Sequence, residues 1–185
     1  MKNLSTLILI ITFFMGLACN DEPEAEPLDN TPMEKTNTDF LVEGNWQLKS
    51  GLIDPSITVD VFGTTVVIES YWDMLAALNG GAVEECQMDN LMLFRSDSSV
   101  VLDEGQTKCD PADPQEENGG DWLFQSNETE LVFTSFPYDP LMQRRTLKVI
   151  DLDAANLKLE MDYRFGFAGS DSTDHLIKLD FENVK

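Results

Sequence analysis

Apolar and polar residues alternate strictly late in the chain. Leu157, Leu159, Met161, Tyr163, Phe165 and Phe167 fall on one side, and Lys158, Glu160, Asp162 and Arg164 on the other. A period of two is the mark of a half-buried β-strand, because successive side chains point to opposite faces. The alternation returns near the C-terminus, where Ile177, Leu179 and Phe181 oppose Lys178, Asp180 and Glu182. It also occurs early, where Trp46 and Leu48 oppose Gln47 and Lys49. Between these, extended runs are predicted at residues 57–68 (interrupted at Gly63), 90–95, 99–103, 121–125, 130–135 and 145–152. Turn-forming clusters such as "SDS", "SNET", "DAAN" and "SDSTD" separate them. "FPYDPLMQ" holds two prolines and reads as an interruption.

One stretch has a different period. "SYWDMLAALNGG" places Tyr71, Met74, Leu75 and Leu78 on one helical face. Ser70 is placed to cap its start with Asp73 three residues on, and Gly80 to end it. "TDFLVE" ahead of Trp46 suits a turn or a one-turn helix. The expectation is all-β: an antiparallel up-and-down barrel of about eight strands with one short helix, since short turns favour antiparallel neighbours and closure removes free edges. A two-sheet sandwich is the alternative.

The N-terminus is a separate region. Lys2 precedes an almost wholly apolar run from Leu4 to Leu17, too short to span a bilayer comfortably and with no basic cluster behind it. Residues 1–18 therefore read as a secretory signal. "MGLAC" at its end resembles the bacterial lipoprotein signal, although Gly16 stands where that pattern favours Leu. The resemblance implies that Cys19 is lipidated and anchors the chain to a membrane. Residues 19–37, acid-rich and spaced by prolines, read as a flexible tether, leaving 38–185 as the domain. The early acids Asp21, Glu22 and Glu24 resemble the export signals of some Bacteroidetes lipoproteins, which implies an outer-membrane, surface-exposed location.

With Cys19 committed to lipid, Cys86 and Cys109 remain as an even pair in an oxidising compartment. A disulfide between them would close a loop of about 22 residues and contribute roughly 3 kcal/mol. Two free thiols or a metal pair are the alternatives. The single histidine, His175, is distant in sequence, so a zinc site is poorly supplied.

The wider pattern resembles the lipocalin-like domain of Bacteroidetes lipoproteins over about residues 40–182. It runs from Gly44-Asn45-Trp46 to a cysteine just before "QMDNLMLF", then "DEGQTKCD", "GGDWLF" and "ELVFTS". The resemblance implies an eight-stranded barrel, the Cys86–Cys109 pairing, and a Trp46 that closes one barrel end beneath the preceding turn. It also implies a late basic residue against that tryptophan, with Arg164 and Lys178 as candidates. Gly120-Asp121-Trp122 repeats the Gly-x-Trp spacing by itself.

Charge narrows the partners. The formal net charge is −22, from 12 Lys+Arg against 34 Asp+Glu. Such a surface repels phosphate backbones, so no nucleic acid partner is expected, and it favours a soluble monomer. Candidate inward residues are Trp46, Leu48, Phe94, Phe124, Phe133, Met161, Tyr163 and Phe165. They could line a cavity for a small hydrophobic ligand or simply fill the barrel. In the second case the protein would bind an envelope protein or a glycan through its surface. Asp110, Asp113, Glu116, Glu117 and Asp121 could gather calcium, but a solvated loop explains them, and neither metal nor cofactor is expected. His175, beside Asp174, reads as a surface strand residue. There is no Gly-x-Ser-x-Gly, phosphate loop or metal-ligand spacing, so no enzyme activity is expected. Asp171-Ser172-Thr173 resembles a short O-glycosylation acceptor, for which a turn is explanation enough.

Overall fold

The computed structural model describes residues 34–61, 63–79, 81–138, 143–164 and 173–185. The signal segment, Cys19 and nearly all of the tether lie outside the described residues, as do Gly80, Phe165, Phe167, Asp171 and Ser172.

Among the described residues nine strands form one antiparallel sheet: β1 (Asn45–Val61), β2 (Thr64–Ser70), β3 (Leu91–Phe94), β4 (Ser99–Asp103), β5 (Glu116–Gln125), β6 (Glu130–Phe133), β7 (Arg145–Leu152), β8 (Asn156–Arg164) and β9 (Asp174–Asn183). The order is β2-β1-β3-β4-β5-β6-β7-β8-β9, and β9 pairs back onto β1 from Trp46↔Asn183 to Asp54↔Leu176. Eight strands therefore close into a barrel, and β2 is added beside the far half of β1. Closure excludes the two-sheet sandwich.

The expected first strand and the first half of the 57–68 run are one element. β1 continues through Asp54-Pro55, a cis peptide, with a register shift between Leu52 and Ile57. The break at Gly63 (φ 81°) is the turn into β2. β5 starts five residues before the expected 121, at Glu116. Glu116, Glu117 and Asn118 are poor strand formers, but they pair with Asp103, Leu102 and Val101. The ladder overrides local propensity there.

Among the described residues three helical pieces accompany the barrel: α1 (Asn37–Glu43), α2 (Tyr71–Asn79) and α3 (Glu85–Met88). The "TDFLVE" turn is α1, and its cap begins at Thr36, two residues before Thr38. Asp39 N donates to Thr36 Oγ1 at 3.2 Å, and Thr36 N donates to Asp39 Oδ2 at 2.8 Å. In α2, Ser70 and Asp73 form the same reciprocal cap, at 3.1 and 3.0 Å. Tyr71 and Met74 are buried, but Leu78 is 45% exposed, so the expected apolar face is buried only over the first turns. α3 is a single turn, too short to show a helical period in sequence.

Candidate functional site

At one end of the barrel α1 lies over Trp46. The indole Nε1 donates to the carbonyl of Leu41 at 2.9 Å, and both residues are fully buried. Gly44 lets the ring sit there, because a Cβ on Gly44 would fall 2.3 Å from Trp46 Cε2. Glu128, in the β5–β6 turn, holds the helix from the other side. It accepts from Asn37 N at 2.9 Å and Thr38 Oγ1 at 2.5 Å. The Gly-x-Trp motif thus closes a barrel end under a short helix. Neither expected basic residue shares its register. Arg164 pairs across from Asp174 and forms a two-point ion pair with it, at 2.7 and 2.9 Å. Lys178 sits opposite Leu52, six positions along β1 from Trp46.

The interior is occupied by rings in contact. Tyr71 meets Tyr138 edge-on (5.8 Å), Tyr138 meets Phe136 (5.9 Å), Phe136 meets Phe133 (4.8 Å), and Phe133 meets Phe94 (5.9 Å). Phe94 meets Trp122 at 5.5 Å, and Trp122 meets Phe124 at 5.7 Å. Tyr138 also touches Phe181, and Arg145 lies over the Tyr163 ring at 4.7 Å. Of the expected inward residues, Trp46, Leu48, Phe94, Phe133, Met161 and Tyr163 are buried in this core, and Phe124 is half-buried. Phe165 is outside the described residues.

Two core rings come from the segment read as an interruption. After β6 the chain turns inward, and Phe136 N donates to Gln143 O at 2.9 Å. Phe136 is 0% exposed and Tyr138 is 7% exposed. No periodicity marks them, because the segment is not a strand. Trp122 was legible, since it shares parity with Phe124 in β5. Its Nε1 donates to Arg95 O at 3.2 Å, so the second Gly-x-Trp is a core anchor within a strand.

His175 is a correction. It is 1% exposed, not on the surface, and its Nδ1 lies 2.7 Å from the Pro55 carbonyl. The reason is parity: His175 extends inward the row Ile177, Leu179, Phe181. Burial also pushes the Tyr138 phenol pKa up. Its hydroxyl and the Trp72 indole N–H are buried without a hydrogen-bond partner among the described residues.

Outside the barrel, Cys86 and Cys109 form a disulfide with Cα atoms 5.2 Å apart. It ties the β4–β5 loop to α3. Asp89 reinforces it, with Oδ2 accepting from Gln106 N and Thr107 N at 3.0 and 2.9 Å. Gly105 (φ 68°) passes so close to the Asp89 carbonyl that a Cβ would sit 2.3 Å from its oxygen. The candidate calcium acids are dispersed. Asp110 Oδ1 accepts from Ala112 N, Glu116 pairs with Arg95, and Glu117 and Asp121 lie in the β5 ladder. Among the described residues the acids, cysteines and histidine whose ligand atoms gather within 4.8 Å are Glu84, Cys86 and Cys109. Both cysteines are taken by the disulfide.

No family model matches this chain, and no curated protein matches it.

Proposed function

We propose that this chain is a lipid-anchored envelope protein whose barrel is a filled scaffold, and that it works through its outer surface as an interaction module. The observation that carries the filled-barrel part is the ring chain from Tyr71 to Phe94. Phe133 and Phe136 at its centre, and Leu131 and Leu147 in the same core, have no accessible surface, and a side chain facing a void that admits water would keep some. The anchor rests on sequence: an apolar segment and small residues lead into Cys19, and an acidic, proline-spaced stretch follows. An oxidising compartment agrees with the disulfide. The buried His175, held to a backbone carbonyl, reads as structural, and we propose no enzyme activity.

A second reading is favoured by one observation. The Tyr138 hydroxyl and Trp72 N–H, unpartnered among the described residues, both belong to rings touching Tyr71, at 5.8 and 5.5 Å. Buried polar groups of this kind call for a partner. A small apolar molecule with a polar head would supply one.

Native mass spectrometry of the full chain, released from detergent, separates the two. The filled scaffold predicts the mass of the polypeptide with its acyl groups and nothing further. A stoichiometric small molecule would instead establish the carrier. Palmitate labelling tests the anchor, which fails if a Cys19→Ser variant still takes up label.

A further inference from the structure

We infer that the free edge of β2 is a docking site for an extended segment of a partner protein carrying lysine or arginine at alternate positions. This rests on the reading of the barrel as an interaction scaffold. Among the described residues β2 stands at the end of the sheet order and hydrogen-bonds to β1 alone, from Leu52↔Ser70 to Val61↔Thr64. The amides of Glu69 and Ser70 are taken by Asp73 Oδ2, at 3.3 and 3.0 Å. That leaves residues 64–68, Thr-Thr-Val-Val-Ile, with one row of backbone donors and acceptors facing outward. An open edge is normally blunted by lysine, proline, a bulge or very short length. This run has no charged residue and no proline, and Val67 is 50% exposed.

Beside the edge runs a groove of about 310 Å³, lined by Val66, Val67, Asp73, Ala76, Ala77 and Gly81. Its far wall is built from small residues. A Cβ added at Gly81 would meet nothing within 4 Å, so there is space for side chains of an added strand. Such a strand would gain ladder hydrogen bonds from β2 and side-chain contacts from α2, the usual division of affinity and specificity in strand addition.

Charge selects the occupant. From Lys49 to Arg95 the sequence has no basic residue, yet it holds Asp54, Asp60, Glu69, Asp73, Glu84, Glu85 and Asp89. Glu69 lies on β2 itself, Asp60 pairs with Thr65 across the hairpin, and Asp73 lines the groove. This negative field attracts a basic strand. It disfavours a second copy, which brings the same net charge of −22.

The test uses the full chain in detergent and two end-blocked, fluorescein-tagged peptides of alternating Val and Lys or alternating Val and Glu. Anisotropy should show saturable binding of the lysine peptide, weakened by salt, and none of the glutamate peptide. Hydrogen exchange should slow at residues 64–68. A Val67→Lys variant should lose about tenfold in affinity at unchanged Tm, and Val67→Thr should retain binding. Three results would overturn the site: equal binding of both peptides, protection elsewhere, or no binding. A peptide-free dimer protected at residues 64–68 would assign the edge to a second copy instead. A small molecule found inside the barrel would sink the scaffold reading while leaving the peptide result intact, so the two failures are distinguishable.

Discussion

Replacing Phe136 by alanine tests whether the segment after β6 is a plug or a loop. Burying a phenyl group is worth about 1.5–3 kcal/mol in transfer alone. A wall that cannot collapse adds a cavity term, which brings Phe→Ala in cores to about 3–5 kcal/mol. Phe136 has no exposed surface and packs between Phe133 and Tyr138, at 4.8 and 5.9 Å. The strands around it are held by a closed ladder, so little relaxation is available, and the expected loss is about 4 kcal/mol. Against a total of about 5–15 kcal/mol for a domain, that is a large share. With a urea slope of about 2 kcal/mol per molar, the midpoint should fall by about 2 M at unchanged slope, followed by tryptophan fluorescence. Benzene should restore part of the loss by entering the new apolar cavity. A fall of under about 0.3 M, the range of surface substitutions, would refute the packing argument.

Three further outcomes follow from the same contacts. Gly44→Ala forces the Trp46 ring away from the new Cβ and off the Leu41 carbonyl, at a cost of about 1–3 kcal/mol by thermal melt. Because Gly44 has an ordinary φ of −92°, the cause is space alone, and an unchanged Tm would show that the ring has room to move. Cys86→Ser with Cys109→Ser removes a cross-link over a sequence separation of 23 and should cost roughly 3 kcal/mol. If the loop held by Asp89 keeps its structure without the bridge, the loss in Tm will be small. Asp39 should titrate below the ordinary carboxylate range, held down by the Thr36 amide and then its hydroxyl. Its contribution to α1 is present above the unfolded value of 3.8 and fades as pH drops through the lower folded value. A carboxyl-carbon NMR titration centred at the ordinary value would contradict the cap.

The sequence alone marked most of the strands and favoured a barrel over a sandwich. Leu157 to Tyr163 and Ile177 to Phe181 alternate because one face must leave water and the other must stay in it, and that constraint is visible one residue at a time. The same alternation puts His175 on the inward row, but beside Asp174 it reads in sequence as a surface residue, and only the structure shows it buried. Ser70 with Asp73, the break at Gly63 and the place of Trp46 were equally local. The tertiary structure decided what local patterns do not encode. The Glu116–Asn118 end of β5 is a strand only because β4 lies alongside it. Phe136 and Tyr138 enter the core from a proline-flanked segment without a period, since burial there is fixed by the space the barrel leaves and not by backbone repeat. Among the described residues β2 keeps an open edge because β3 meets β1 only at its first residues, and a hydrogen-bond ladder between distant segments cannot be read from either one alone.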